Sequence, residues 1–178
     1  MRLLLILLLW TSVTYGQNEF ENKFWPSEVD ILNPTQSKLN NSISLHTTTQ
    51  QLLKQLGSPS KVEKVNFECA LTPEQEKAKV HNFYYYGKTM FFIYDQKAQL
   101  MNLDFISGKF IYKTPKITLT SKTTFEEIEK IYPQATKNAL KENKGEMIRL
   151  RPCKKCDGQV LLYMKNGKLA QLELWEPC

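Results

Sequence analysis

From Val160 to Trp175 the chain reads strand, turn, strand. Val160, Leu161, Leu162 and Tyr163 form an apolar run, Lys165-Asn166-Gly167-Lys168 a polar break, and Leu172 and Leu174 then alternate with Gln171, Glu173 and Trp175. The same plan runs from Phe91 to Phe105: at one constant offset Tyr94 matches Tyr163, Leu100 matches Leu169, Leu103 matches Leu172 and Asp104 matches Glu173. Self-similarity at a long fixed period points to a duplicated supersecondary unit.

The flanking pattern supplies further elements. Leu52, Leu53 and Leu56 form a helical stripe after the candidate caps Thr47 to Thr49, and Gly57 and Pro59 end it. Val62 to Cys69 alternates as a strand, Leu71 to Lys79 reads as a loop with one helical turn at Thr72-Pro73-Glu74, and His81–Tyr86, Thr89–Tyr94 and Gln99–Ile106 read as antiparallel strands. In the second half Ile117-Thr118-Leu119 echoes Ile43-Ser44-Leu45. Ser121 or Thr123 caps a helix carrying Phe125, Ile128, Ile131 and Tyr132, which Pro133 closes. Residues 134–145 fit either a short helix or a lysine-rich loop, and Glu146–Pro152, Gln159–Met164 and Lys168–Trp175 read as strands. The expected fold is α+β: two helix-plus-antiparallel-meander units, 43–113 and 114–178, with helices on one face of the sheet and the other face open.

Asn166-Gly167 is the strongest local hairpin signal, because both residues tolerate the positive φ of a tight type I′ turn. With those two at the tip, Leu161 faces Leu172, Tyr163 faces Ala170 and Gln159 faces Leu174; the first unit's counterparts are Phe92 with Leu103, Tyr94 with Met101 and Met90 with Phe105. These pairs are expected under the helices. The open face then carries Phe91, Ile93, Val160 and Leu162 beside Asn102, Asp104, Gln171 and Glu173. A one-residue slip exchanges the two sets.

The first residues change the picture of where the chain works. Met1-Arg2, an uncharged run from Leu3 to Trp10 and a small, polar exit at Gly16 read as a secretory signal peptide, too short to span a bilayer. Residues 17–42 read as a polar arm that Phe20, Phe24, Trp25 and Ile31 pin to the body, and Asn40-Asn41-Ser42 fits a glycosylation sequon. The expectation is a secreted or periplasmic protein with no transmembrane segment. Net charge is +6, but most of the 24 basic residues are scattered lysines. The arginine forks that read nucleic acid are nearly missing, so nucleic-acid binding is set aside.

A capped helix ending Leu56-Gly57-Ser58-Pro59, then an antiparallel meander, occurring twice, resembles the tandem fold of the β-lactamase inhibitor protein family. It is also similar to single-unit relatives such as the small lipoprotein of the outer-membrane barrel-assembly machine. The resemblance covers about Ile43 to Cys178 and is one of plan: the second unit lacks the Gly-x-Pro, and the cysteines gather in it. It implies an open, curved sheet face that grips a partner protein. Inhibition of a lactamase does not carry over, because no contact residue matches.

The cysteines are Cys69, Cys153, Cys156 and Cys178. Cys153-Lys154-Lys155-Cys156 lies between expected strands, after Pro152 and before Asp157-Gly158. It therefore lacks the helix N-terminus that activates a redox pair. Zinc held with Cys69 and Cys178 is weighed against the irregular spacing and an oxidising compartment. A structural bridge is preferred, from the CxxC loop to Cys178, with the remaining loop cysteine reaching Cys69. The longer loop gives the larger entropic gain, about 3.5 kcal/mol against about 2 kcal/mol for Cys153–Cys156. His46, His81, Glu126, Glu127, Glu129, Glu173 and Glu176 form no recognisable catalytic group, and Tyr84-Tyr85-Tyr86 reads as a half-buried strand. The expectation is a non-enzymatic binding or envelope-accessory protein without cofactor or metal, whose partner is another protein. The alternatives are a thiol-active CxxC redox protein and a structural domain with no dedicated ligand.

Overall fold

The computed structural model describes residues 29–65 and 72–177; the expected leader, the first part of the polar arm, Cys69 and Cys178 lie outside them. The helices are α1 (Thr49–Leu56), α2 (Pro73–Lys77), α3 (Phe125–Ile131) and α4 (Pro133–Asn143), with one 3-10 turn at Pro34–Gln36. The strands are β1 (Lys38–Leu39), β2 (Ile43–Ser44), β3 (His46–Thr48), β4 (Lys61–Lys64), β5 (His81–Tyr86), β6 (Thr89–Tyr94) and β7 (Lys97–Asp104). They continue with β8 (Tyr112–Lys113), β9 (Thr118–Leu119), β10 (Met147–Leu150), β11 (Gln159–Lys165) and β12 (Lys168–Trp175). The fold class is α+β, as expected. Residues 134–145, open in the sequence, are mostly helix, and Pro133 starts α4 rather than closing α3, since its missing N–H costs nothing at a first helical position.

The large sheet has the order β10-β11-β12-β7-β6-β5-β4, and β3 also pairs with β7. All these pairings are antiparallel. The second strands of the two long hairpins, β7 and β12, therefore lie side by side, with Leu103 opposite Leu172. A small sheet of order β2-β1-β8-β9 sets Leu39 opposite Tyr112. Leu103 and Leu172 are fully buried and share one core with Leu39, Ile43, Tyr112 and Leu119 of the small sheet, Leu52 of α1, Ile128 of α3 and Ala135 and Ala139 of α4. Each large apolar side chain there contributes about 1.5–3 kcal/mol before its lost entropy is counted.

Hairpin tips and helix starts are joined alike in both halves. The Thr49 N–H donates to the Gln96 carbonyl at the β6–β7 tip (2.8 Å), and the Phe125 N–H to the Gly167 carbonyl at the β11–β12 tip (3.1 Å). Thr48 and Thr124 cap the two helices, the second with a full capping box through Glu127.

The register differs from expectation at one place in each hairpin. Asn166 and Gly167 hold positive φ, as the turn requires. A bulge beside Tyr163 and Met164 then moves the pairing by one, so Leu162 rather than Leu161 faces Leu172, and Val160 faces Leu174. In the first hairpin the tip lies at Asp95–Gln96, which sets Phe92 opposite Gln99 and Phe91 opposite Leu100, and a bulge between Met90 and Phe91 then sets Met90 opposite Asn102. A bulge places two residues against one and turns every later side chain over. Phe91, Ile93, Val160 and Leu162, expected on the open face, are the core: they are 0%, 1%, 0% and 0% exposed. Leu161, Tyr163 and Phe92 point the other way.

From Asp30 on, the expected arm is part of the fold. The Asp30 backbone brackets Arg151: the Arg151 N–H donates to the Asp30 carbonyl, and the Leu32 N–H to the Arg151 carbonyl. An Asp30 carboxylate oxygen accepts the Ala135 N–H (2.8 Å), capping α4, whose own Tyr132 provides no side-chain cap. Leu32 and Leu39 are buried.

Candidate functional site

The inner face is filled, so contact chemistry falls to the outer face of the large sheet. Pairings across it place Arg149, Leu161, Glu173, Asn102, Met90, Tyr85 and Lys61 directly opposite one another, strand by strand, in a single row. The next row sets Met147, Tyr163, Gln171 and Asp104 in line. The row ends are ionic: Arg149 pairs with Glu142, and Lys61 with Glu63, which also accepts from the Tyr85 hydroxyl (3.1 Å). The Lys61 ammonium stands 5.1 Å over the Tyr85 ring. Near the middle the Tyr163 hydroxyl donates to Glu173 (2.9 Å). Burial first, and then that carboxylate, push the Tyr163 phenol up to about 12.

The four polar residues expected on this face are on it, with different duties. Gln171 and Glu173 are half-exposed. Asn102 donates to the Lys88 carbonyl, while its own carbonyl oxygen is buried without a partner among the described residues. Asp104 is buried, and its two carboxylate oxygens accept from the N–H groups of Ile106 and Ser107, so it shapes the turn after β7. One end of the face is covered by α2: Gln75 donates to Gln99 (3.0 Å), its carbonyl lies 2.7 Å from the His81 Nε2, Glu74 pairs with Lys97, and His81 stacks on Phe92. His81 is thus held as a packing residue.

Beside α2, at the same end of β7, the face opens into a cleft. The β12–β7 ladder stops at Glu173 opposite Asn102, and beyond it β7 pairs with β3, His46 opposite Gln99. Between the diverging β12 and β3 lies a cavity of about 560 Å³, inside the range of small-ligand pockets. Leu45, His46 and Gln99 form one wall, Gln159, Leu174 and Trp175 another, and Pro34, Pro152, Cys153 and Cys156 close it. Trp175 is 41% exposed. Gly158 lets the loop approach: a Cβ there would stand 3.0 Å from the Trp175 carbonyl.

Cys153 and Cys156 are bonded to each other, with Cα atoms 5.2 Å apart across the turn at Lys154 and Lys155. This overturns the expected ties of one CxxC cysteine to Cys178 and of the other to Cys69. The loop-entropy comparison weighed constraint on the unfolded chain, whereas the tight turn sets the two thiols together in the fold. The loop carries no helix, and the Arg151 guanidinium donates to the Cys156 carbonyl (3.0 Å). No group of three or more His, Cys, Asp or Glu side chains able to hold a metal occurs among the described residues. No helix among them is long and apolar enough to cross a membrane.

Sequence reasoning missed Leu161, Met90, Arg149 and Trp175 as outer-face residues and the Gln75–Gln99 pair under α2. Gln99, an amide between Ala98 and Leu100, was the available signal. No family model, no curated protein and no solved structure matches the chain.

Proposed function

We propose that this chain is an exported, non-enzymatic binding protein that grips another protein through the outer face of its large sheet and seats an apolar anchor of that partner in the cleft. The observation that carries the reading is continuity: Gln159 and Trp175, paired across β11 and β12 on the outer face, also line the cleft. A flat row with Tyr, Met and Arg leading into an apolar socket is the anatomy of an interface with a central anchor. The leader-like N-terminus and the disulfide agree with an oxidising compartment outside the cytoplasm. The pairing of Leu103 with Leu172, and of β8 with β9, supports two similar units joined back to back, the plan of the resembled inhibitor family.

The test is site-specific photo-crosslinking in the source cell's envelope or secreted fraction. A crosslinker at Gln171 or Glu173 should give a discrete adduct that Trp175→Ala abolishes, while one at Glu129 on α3 gives none. Equal adducts from all three positions would remove the reading. The thiol-active alternative rests on Cys153 and Cys156 lining the cleft, and rapid turnover of a disulfide substrate by the native protein would favour it.

A further inference from the structure

A second cavity lies away from the outer face, between α1 and the small sheet. It holds about 330 Å³ and is lined by Lys38, Ser44, Thr47, Gln51, Lys54 and Gln55, together with Ser42 and Ile43. No carboxylate lines it. Helical spacing places Gln51, Lys54 and Gln55 on one face of α1.

Both of its carboxamide oxygens already accept hydrogen bonds. The Thr47 hydroxyl donates to the Gln51 side-chain oxygen (2.8 Å) and the Ser42 hydroxyl to that of Gln55 (3.3 Å). Both carboxamides therefore leave their NH₂ ends as donors. The Lys38 ammonium donates to the Ser44 hydroxyl (2.6 Å), a neutral acceptor. Lys38 also stands directly opposite Lys113 across β1 and β8, an unfavourable placement of like charges. Neither Lys38 nor Lys54 has an ion-pair partner among the described residues. Two cations and two amide donors thus face one small space that holds no counter-charge.

We propose that this cradle binds an oxyanion, a phosphate or sulfate ester on a small polyol. The lysines take the anion, and the amides and hydroxyls hold the neighbouring hydroxyls of the ligand. A free ester and a lipid headgroup share this chemistry. The site shares no lining residue with the cleft, and it is independent of the binding function proposed above.

The experiment is an NMR titration of the isotope-labelled full chain with glycerol phosphate, inorganic phosphate and sulfate, with glycerol as the uncharged control. Sedimentation with phosphatidylglycerol vesicles forms a separate arm. Saturating amide shifts confined to Lys38, Ser44, Gln51, Lys54 and Gln55 are expected with the anions and not with glycerol. Lys38→Gln and Lys54→Gln should each weaken binding about tenfold, without lowering the unfolding midpoint, because both lysines are exposed and Lys38 faces Lys113. Vesicle binding lost in the same variants would identify the headgroup as the source; binding of soluble ester alone would identify the free ligand. Shifts that fail to saturate, that spread over the solvated lysines of α4, or that persist in the double variant would overturn the proposal.

Discussion

Leu172 and Gln171 are chain neighbours on opposite faces of β12. Leu172 is fully buried against Leu103, so Leu172→Ala should cost about 2–5 kcal/mol in urea unfolding. Gln171→Ala should stay within about 0.5 kcal/mol. A reversed order would place the outer face inside. The tyrosines give a second expectation. Burial pushes Tyr112 up to about 12, and burial with Glu173 does the same for Tyr163, from ordinary values of 10.0. A phenol whose proton is held more tightly in the fold contributes fully below the unfolded value, and the contribution is lost as pH rises through the folded one. Stability should therefore fall between about pH 10 and 12, and Tyr112→Phe should flatten that fall. Urea midpoints across the window, with tyrosinate absorbance, measure both. Which side of the sheet each residue takes was the part least legible in the sequence. The turn at Asn166-Gly167 was local and readable, but nothing in Tyr163 or Met164 announces the bulge two residues behind it.

The elements depend on groups far along the chain. α4 begins without a side-chain cap of its own and takes one from Asp30. Asp30→Ala should destabilise the protein by about 0.5–2 kcal/mol and speed amide exchange at Ala135 first; unchanged exchange there would deny the cap. Helix and strand positions were readable because α1, α3 and the hairpins carry their period and caps within a few residues. Residues 29–42 were not, since strands of two residues and a cap borrowed across the molecule leave no periodic trace.

At the scale of the molecule, the two halves meet along strand edges as well as side chains. β7 and β12 cover each other, and so do β8 and β9. Expressed alone, residues 43–113 would keep β3 on β7 but leave the Asn102–Asp104 end of that edge bare, a template for further pairing. Aggregation is expected, with mixing of the two halves restoring a soluble complex; light scattering checks both. Reducing Cys153–Cys156 should cost only about 2 kcal/mol, since the loop is short, and should leave the circular dichroism spectrum native. The α+β class and the paired hairpins were visible in the pattern. The cleft was not, because it forms where two strands from different halves divide one neighbour.

That division has a consequence for motion. β3 and β12 lie along one edge of β7, and Leu100 already gives its N–H to the Leu45 carbonyl. A ladder register gained by either strand must be surrendered by the other, as at a migrating branch point. Peeling β3 back by a single residue would let β12 zip onward and shut the gap, whereas a wedge held beside Trp175 would pin the junction where it stands.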